Sequence, residues 1–199
     1  DDGGTWADSV AGVMERHYSP GRTWEATARG LVHLLEPGDV LDVASGDGVL
    51  AELLAPRARS IVCLDISRKV AEAGRERLSD CSNVRFEIGD MHALPFAGDE
   101  FDTVLLMHAL TYTVRPGEVF AEVARVLRPG GRMLAVTLEK HGHEKIVQPF
   151  NHVNLGFERK QLKALAANAG LAVLACTVSA IEKRTPHFSV LALSAEKQA

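Results

Sequence analysis

Five strand-like apolar runs, at residues 40–44, 61–64, 84–88, 103–107 and 132–138, occupy the middle of the chain. Helical spacing at about 49–54, 68–78 and 116–127 falls between them, with Pro116 placed in a first helical turn. Apolar strands joined through helices bury both faces, which predicts a parallel sheet with helices on both sides. The tail departs from this rhythm. A helix over 158–169 leads through Gly170 into strand-like runs at 171–178 and 187–192. With no helical pattern between those two runs, a hairpin at the sheet edge is expected. The fold class is therefore α/β, a seven-stranded, mostly parallel sheet with a C-terminal antiparallel edge strand.

Ahead of the sheet, residues 6–18 have helical spacing that Ser19-Pro20-Gly21 breaks, and Thr23 can cap a second helix running to about Leu35. One domain is expected. Residues 1–35 form a helical cap, 36–138 a ligand-binding core, 139–157 a lid, and 158–199 a closing helix and strand pair. The formal charge of −4 gives no overall basic field to draw this segment to nucleic acid or anionic lipid. Cys63, Cys81 and Cys176 are odd in number and widely spaced, which suits a reducing compartment better than a disulfide framework. No apolar run reaches about 18 residues and no basic-then-apolar leader opens the chain, so a soluble, cytoplasmic protein is expected. The chain opens on Asp1, as a piece of a longer protein or a trimmed end would.

Three acidic residues stand at three successive strand ends. Leu41-Asp42-Val43-Ala44-Ser45-Gly46-Asp47-Gly48 runs from a strand into a helix, where glycines admit close backbone approach and the helix start offers unpaired N–H groups. Asp65 ends the second strand, where a carboxylate can accept hydrogen bonds from both ribose hydroxyls. The plainer reading makes Asp65 a cap for the helix that follows. Gly89-Asp90-Met91-His92 ends the third strand; Asp90 can accept from an exocyclic amine and Met91 can lie on a flat ring. Together they describe an adenosine site. An NAD-dependent oxidoreductase would share the glycine turn and the second-strand acid, but Ala44-x-Gly46-x-Gly48 falls short of GxGxxG.

These segments, with Leu94-Pro95-Phe96, Phe101-Asp102-Thr103-Val104 and Leu127-Arg128-Pro129-Gly130-Gly131-Arg132, resemble the Rossmann-like class I S-adenosylmethionine (SAM) methyltransferases. The likeness spans roughly residues 23–192 and is greatest to the branch with ubiquinone and small-molecule methyltransferases. It implies SAM as cofactor, S-adenosylhomocysteine as product and a small-molecule methyl acceptor. The cofactor would be held by Asp42, Ala44, Ser45, Gly46 and Gly48 at its methionine part, by Asp65 and Ile66 at the ribose, and by Asp90 and Met91 at adenine. Ala44 departs from the family's usual glycine and would tighten the turn. A narrower likeness links residues 17–24 and 152–157 to methyltransferase-like domains of ArsR-type repressors. It implies a winged-helix DNA-binding domain N-terminal to this segment, and a SAM- or S-adenosylhomocysteine-sensing role as the alternative to an enzyme.

Methyl transfer needs in-line placement of the acceptor, and many acceptors also need a base. His108, after the fourth strand, is the leading candidate and is also expected beside the cofactor; His143 and His152 in the polar stretch are the others. Residues 141–144 with His152 could instead ligate a divalent metal, but packed or solvated histidines are the simpler reading, and no metal is expected. Tyr18 and Arg22 flank the first interhelical turn, where the tyrosine could cover the sulfonium and the arginine could pair with the ligand carboxylate.

Overall fold

The computed structural model describes residues 23–198 together with Ser9, Ala11, Gly12, Pro20 and Gly21. Tyr18, Arg22 and most of the helix expected over residues 6–18 lie outside the described residues. The chain divides into two units, Asp1–Leu35 and Glu36–Ala199. In the first, α1 (Trp24–Leu31) starts at Thr23, whose Oγ1 accepts the Ala26 N–H at 3.1 Å as an N-cap.

The second unit holds a seven-stranded sheet in the order β3-β2-β1-β4-β5-β7-β6. The strands are β1 (Asp39–Val43), β2 (Ser60–Asp65), β3 (Val84–Ile88), β4 (Phe101–Met107), β5 (Leu127–Leu138), β6 (Leu171–Ile181) and β7 (Ser189–Lys197). The first five run parallel, and β7 lies antiparallel to both β5 and β6. The late strands do form a hairpin at the sheet edge. The antiparallel strand sits one place in, and β6 is the outermost.

Burial explains the central strands. Val40, Leu41, Val43 and Ile61 through Leu64 are at most 1% exposed, as near-continuous apolar runs in a sheet covered on both faces should be. The crossovers are α2 (Val49–Leu54), α3 (Arg68–Arg77) and α4 (Pro116–Val126). On α4, Val119, Phe120, Val123 and Val126 form a helical stripe with no exposed surface. Burying a side chain such as Phe120 contributes roughly 1.5–3 kcal/mol. The chain runs outward from β1 to β3 and returns to β4 beside β1, so strand order reverses between β1 and β4. That reversal opens a crevice at their carboxyl ends.

β5 and β7 each run five residues past their sequence expectation, β5 at its start and β7 at its end. The sequence places a helix up to Leu127, a stop at Arg128-Pro129-Gly130-Gly131 and the strand only from Arg132, yet β5 begins at Leu127. Arg128 pairs at 2.9 Å with both Asp39 and Asp102, at the start of β1 and near the start of β4, and so draws the segment along the sheet. A register irregularity between Phe101 and Thr103 accommodates the Pro129-Gly130 insertion. Similarly, β7 continues to Lys197 because buried Leu191, Leu193 and Ala195 alternate with polar partners, including the Arg132–Glu196 pair at 2.9 Å.

The polar stretch after β5 is a loop pinched at its neck. Phe157 N–H donates to Leu138 O at 3.0 Å, and Lys140 N–H to Phe157 O at 3.1 Å. Gly156 lies at this neck with φ +87°, where an added Cβ would stand 2.5 Å from Glu139 O. Within the loop are α5 (Glu144–Val147) and a 3₁₀ turn, Gln148–Phe150. The N–H groups of Val153 and Asn154 both donate to Thr111 O, tying the loop to the turn that follows β4. Beyond the neck, α6 (Arg159–Asn168) buries Leu162 and Ala166.

Candidate cofactor and acceptor site

At the carboxyl end of β1 the chain turns sharply into α2. Ser45 N–H donates to Leu64 O at 3.1 Å, and Gly46 N–H to Asp65 Oδ2 at 3.1 Å, so the turn is fastened to the end of β2. Asp65 Oδ1 accepts the Ser67 N–H at 2.9 Å, and Ser67 caps α3 through its Oγ and the Val70 N–H. Asp65 thus serves both strand-end loops at once. Gly48, with φ +82°, presses close to Phe86, leaving no room for a side chain.

Ala44 opens this turn at φ +55°, in the left-handed region. An L-residue there is strained by about 1–2 kcal/mol, less the smaller unfolded-state entropy that alanine enjoys over glycine. Ala44→Gly is accordingly expected to raise unfolding free energy by about 0.5–1 kcal/mol in urea titrations. A lower midpoint would show that the methyl group's packing outweighs the strain.

The turn forms one wall of a cavity of about 710 Å³. Ala44, Gly46, Leu64, Asp65 and Ile66 line it from β1 and β2, and Gly89, Asp90, Met91 and His92 from the end of β3. Tyr112, Arg115 and Asn151 line it from across the crevice. Its volume suits a nucleoside-sized ligand with an appended chain. A carboxylate at each of two strand ends and a glycine turn fastened beside one of them fit an adenosyl group.

The site residues expected from sequence divide into groups. Ala44, Gly46, Asp65, Ile66, Asp90 and Met91 line the cavity, whereas Asp42, Ser45, Gly48 and His108 stand outside its lining. Asp42 is 2% exposed, beneath the turn, and its Oδ1 has no hydrogen-bond partner. Burial first, and the charge of Asp65 second, push its carboxyl up to about 7. Tyr112, Arg115, Asn151 and His92 are cavity residues that sequence reasoning did not single out.

His108 directly follows β4 with φ +61°, its N–H donating to Val136 O at 2.7 Å. Burial, reinforced by neighbouring His152 and opposed by Glu182, holds its imidazole below the usual range. It is therefore neutral at pH 7 and able to accept a proton. Burial lowers His152 in the same way, and its ring packs edge-on to Tyr112 with centroids 5.6 Å apart. Since Tyr112 lines the cavity, His152 backs its wall. His143 lines a separate pocket of about 240 Å³ with His141 and Phe188. Among the described residues no three His, Cys, Asp or Glu side chains are grouped to hold a metal ion.

The family described as methyltransferase domain matches residues 41–135, which hold all of the cavity's lining residues except Asn151. A demethylmenaquinone methyltransferase from Renibacterium salmoninarum is 31% identical over 145 residues, covering 73% of this chain and 58% of the relative. One from Clavibacter sepedonicus is 38% identical over 95 residues, 48% of this chain and 39% of the relative. The chain spans about half the length of the curated relatives it matches. Among solved structures, geranyl diphosphate C-methyltransferase from Streptomyces coelicolor superposes with TM-score 0.73 at 18% identity, over 87% of this chain and 77% of that one. The [4+2]-cyclase SpnF superposes with TM-score 0.74 at 21% identity, over 91% and 85%. The shared architecture therefore also carries a reaction of another name, and the sequence matches are what mark the family. On those matches residues 41–135 are similar to the methyltransferase domain that these SAM-dependent methyltransferase relatives carry.

Proposed function

We propose that this chain binds SAM in the 710 Å³ cavity and transfers its methyl group to a small-molecule acceptor. The observation that carries the reading is the pairing of Asp65 and Asp90 across one cavity, with the Ala44–Gly48 turn hydrogen-bonded to the first of them. Asp65 would accept from the ribose hydroxyls and Asp90 from the adenine amine, with Met91 against the ring. The backbone around Gly46 would hold the methionine part. When bound, SAM supplies a methyl group activated by a sulfonium centre.

The protein's own contribution to the reaction is placement and proton handling. The pinched loop bearing His152, together with Tyr112 and Asn151, would exclude water from the acceptor side. His108, held neutral by burial but outside the cavity lining, is our choice for the group that takes the acceptor's proton at a ring nitrogen. That role requires the acceptor to reach beyond the lining toward the end of β4. His152 and His143 are the other imidazoles on this edge. A small acceptor is supported by relatives named for demethylmenaquinone and by the structural neighbour named for geranyl diphosphate. We further place the protein in the cytoplasm, since Cys63, Cys81 and Cys176 are all free thiols. No described helix is long and apolar enough to cross a membrane.

Calorimetric titration with SAM, S-adenosylhomocysteine and NAD tests the reading. Both adenosyl ligands are expected to bind and NAD to give no heat. A folded sample that ignores both adenosyl ligands would remove the functional assignment. A winged-helix segment upstream, and no turnover with any acceptor, would turn the same cavity into that of an ArsR-type sensor.

A further inference from the structure

Asp90 is anchored by a run of hydrogen bonds that crosses from the β3 loop to the loop after β4. Its Oδ1 accepts the His92 backbone N–H at 2.9 Å and lies 2.6 Å from His92 Nδ1. His92 Nε2 lies 2.7 Å from Thr113 Oγ1, and Thr113 Oγ1 accepts the Arg115 N–H at 2.8 Å. Donor and acceptor roles follow from the chemistry of the groups. The two bonds from His92, its backbone N–H foremost, hold the Asp90 carboxyl below the usual range, so it is ionised and can only accept. Nδ1 therefore carries the ring proton. In the neutral ring Nε2 then accepts, and the Thr113 hydroxyl donates to it.

The run is sheltered at its inner end and open at its outer one. Thr113 is 2% exposed and the His92 side chain 15%, which strengthens the His92–Thr113 bond, while the Asp90 side chain is 50% exposed to the cavity and solvent. Oδ1 is engaged twice, while Oδ2 has no hydrogen-bond partner among the described residues. Asp90 and His92 line the cavity on one side and Arg115 lines it on the other.

We propose that His92 is a positioning residue for base recognition: its Nδ1–H fixes the Asp90 carboxylate so that Oδ2 is presented to the 6-amino group of an adenine. Through Nε2 and Thr113 it also joins that carboxylate to the Arg115 wall. The inference rests on the adenosyl reading of the cavity. Its consequence is selectivity for a 6-amino over a 6-oxo purine, because a fixed carboxylate accepts from an amine and repels a carbonyl oxygen. If His92 merely braced two loops, its loss would weaken both kinds of ligand alike. The ratio of affinities separates the two roles.

The experiment is calorimetric titration of S-adenosylhomocysteine and S-inosylhomocysteine into the wild-type protein, His92→Asn and His92→Gln, with melting temperatures as a check on folding. Asparagine can put a donor near the place of Nδ1, and glutamine near that of Nε2. The wild-type protein should prefer the adenosyl ligand by about thirtyfold or more. His92→Asn should keep that preference within about threefold, and His92→Gln should lose about tenfold of it. An undiminished preference in folded His92→Gln, equal losses in both variants, or no preference in the wild type would each overturn the proposal. The ¹⁵N spectrum of the wild-type ring, recorded at alkaline pH where the ring is neutral, tests it without any variant: Nδ1 should be protonated and Nε2 bare, and the opposite tautomer overturns it. A wild-type protein that binds neither ligand instead overturns the adenosyl reading itself.

Discussion

Asp65→Ala should weaken S-adenosylhomocysteine binding at least tenfold while the protein remains folded. Hydrogen bonds to a carboxylate contribute roughly 1.5–3 kcal/mol each, and about 1.4 kcal/mol is a factor of ten in affinity. Losing one ribose contact therefore suffices for the expected effect. The structure adds a second route. Asp65 also accepts the Gly46 N–H and the Ser67 N–H, so alanine frees the turn that would hold the methionine part. Those two backbone bonds lie at the rim of the sheet, and their loss should lower stability by about 1–3 kcal/mol, less than the usual 5–15 kcal/mol total. Asp65→Asn, which retains one acceptor oxygen, should fall between wild type and alanine in both affinity and stability. Calorimetric titration with parallel thermal melts gives both readings. Unchanged affinity in folded Asp65→Ala would take Asp65 out of the ligand site and leave it a fastener of loops.

The sheet was legible because its signals are local: apolar runs bounded by Gly, Pro and Asp at each turn. Asp65, Asp90 and Met91 were legible because a strand's carboxyl end in an α/β sheet is where ligands bind. The far wall of the cavity was not. Tyr112 and Arg115 follow β4, and Asn151 comes from a loop brought in by hydrogen bonds from Val153 and Asn154 to Thr111. No periodicity encodes that approach. His92 carries no role in the sequence pattern beside Asp90, because its meaning depends on Thr113, 21 residues away. For β5, Arg128-Pro129-Gly130-Gly131 resembles a stop until Asp39 and Asp102 are seen to hold the arginine. His108 follows β4 in a left-handed conformation at φ +61°, which strand patterning does not reveal, and it stands outside the cavity lining.

Asp42 leads to the second large expectation, a stability that falls as pH rises. Its carboxyl is 2% exposed, has an unpartnered Oδ1, and is pushed from the ordinary value near 3.8 to about 7. Between those two pH values the folded protein keeps a proton that the unfolded chain has released, so each unit of rising pH removes about 1.4 kcal/mol of stability. The contribution is complete below the unfolded value, declines through the interval, and is exhausted above the folded one. Across pH 4 to 8 the loss from this residue is about 4 kcal/mol, large against typical folding free energies. Asp42→Asn has no proton to release and should lack this slope. Urea titrations of both proteins at pH 4, 6 and 8 should therefore show wild type losing about 4 kcal/mol relative to the variant over the range. Parallel profiles would mean that Asp42 is solvated or paired well enough to ionise freely. Perturbed carboxyls retained at such cost cluster at functional sites, where stability yields to chemistry. Its place in β1, two residues before Ala44, puts this perturbed carboxyl next to the proposed methionine cradle.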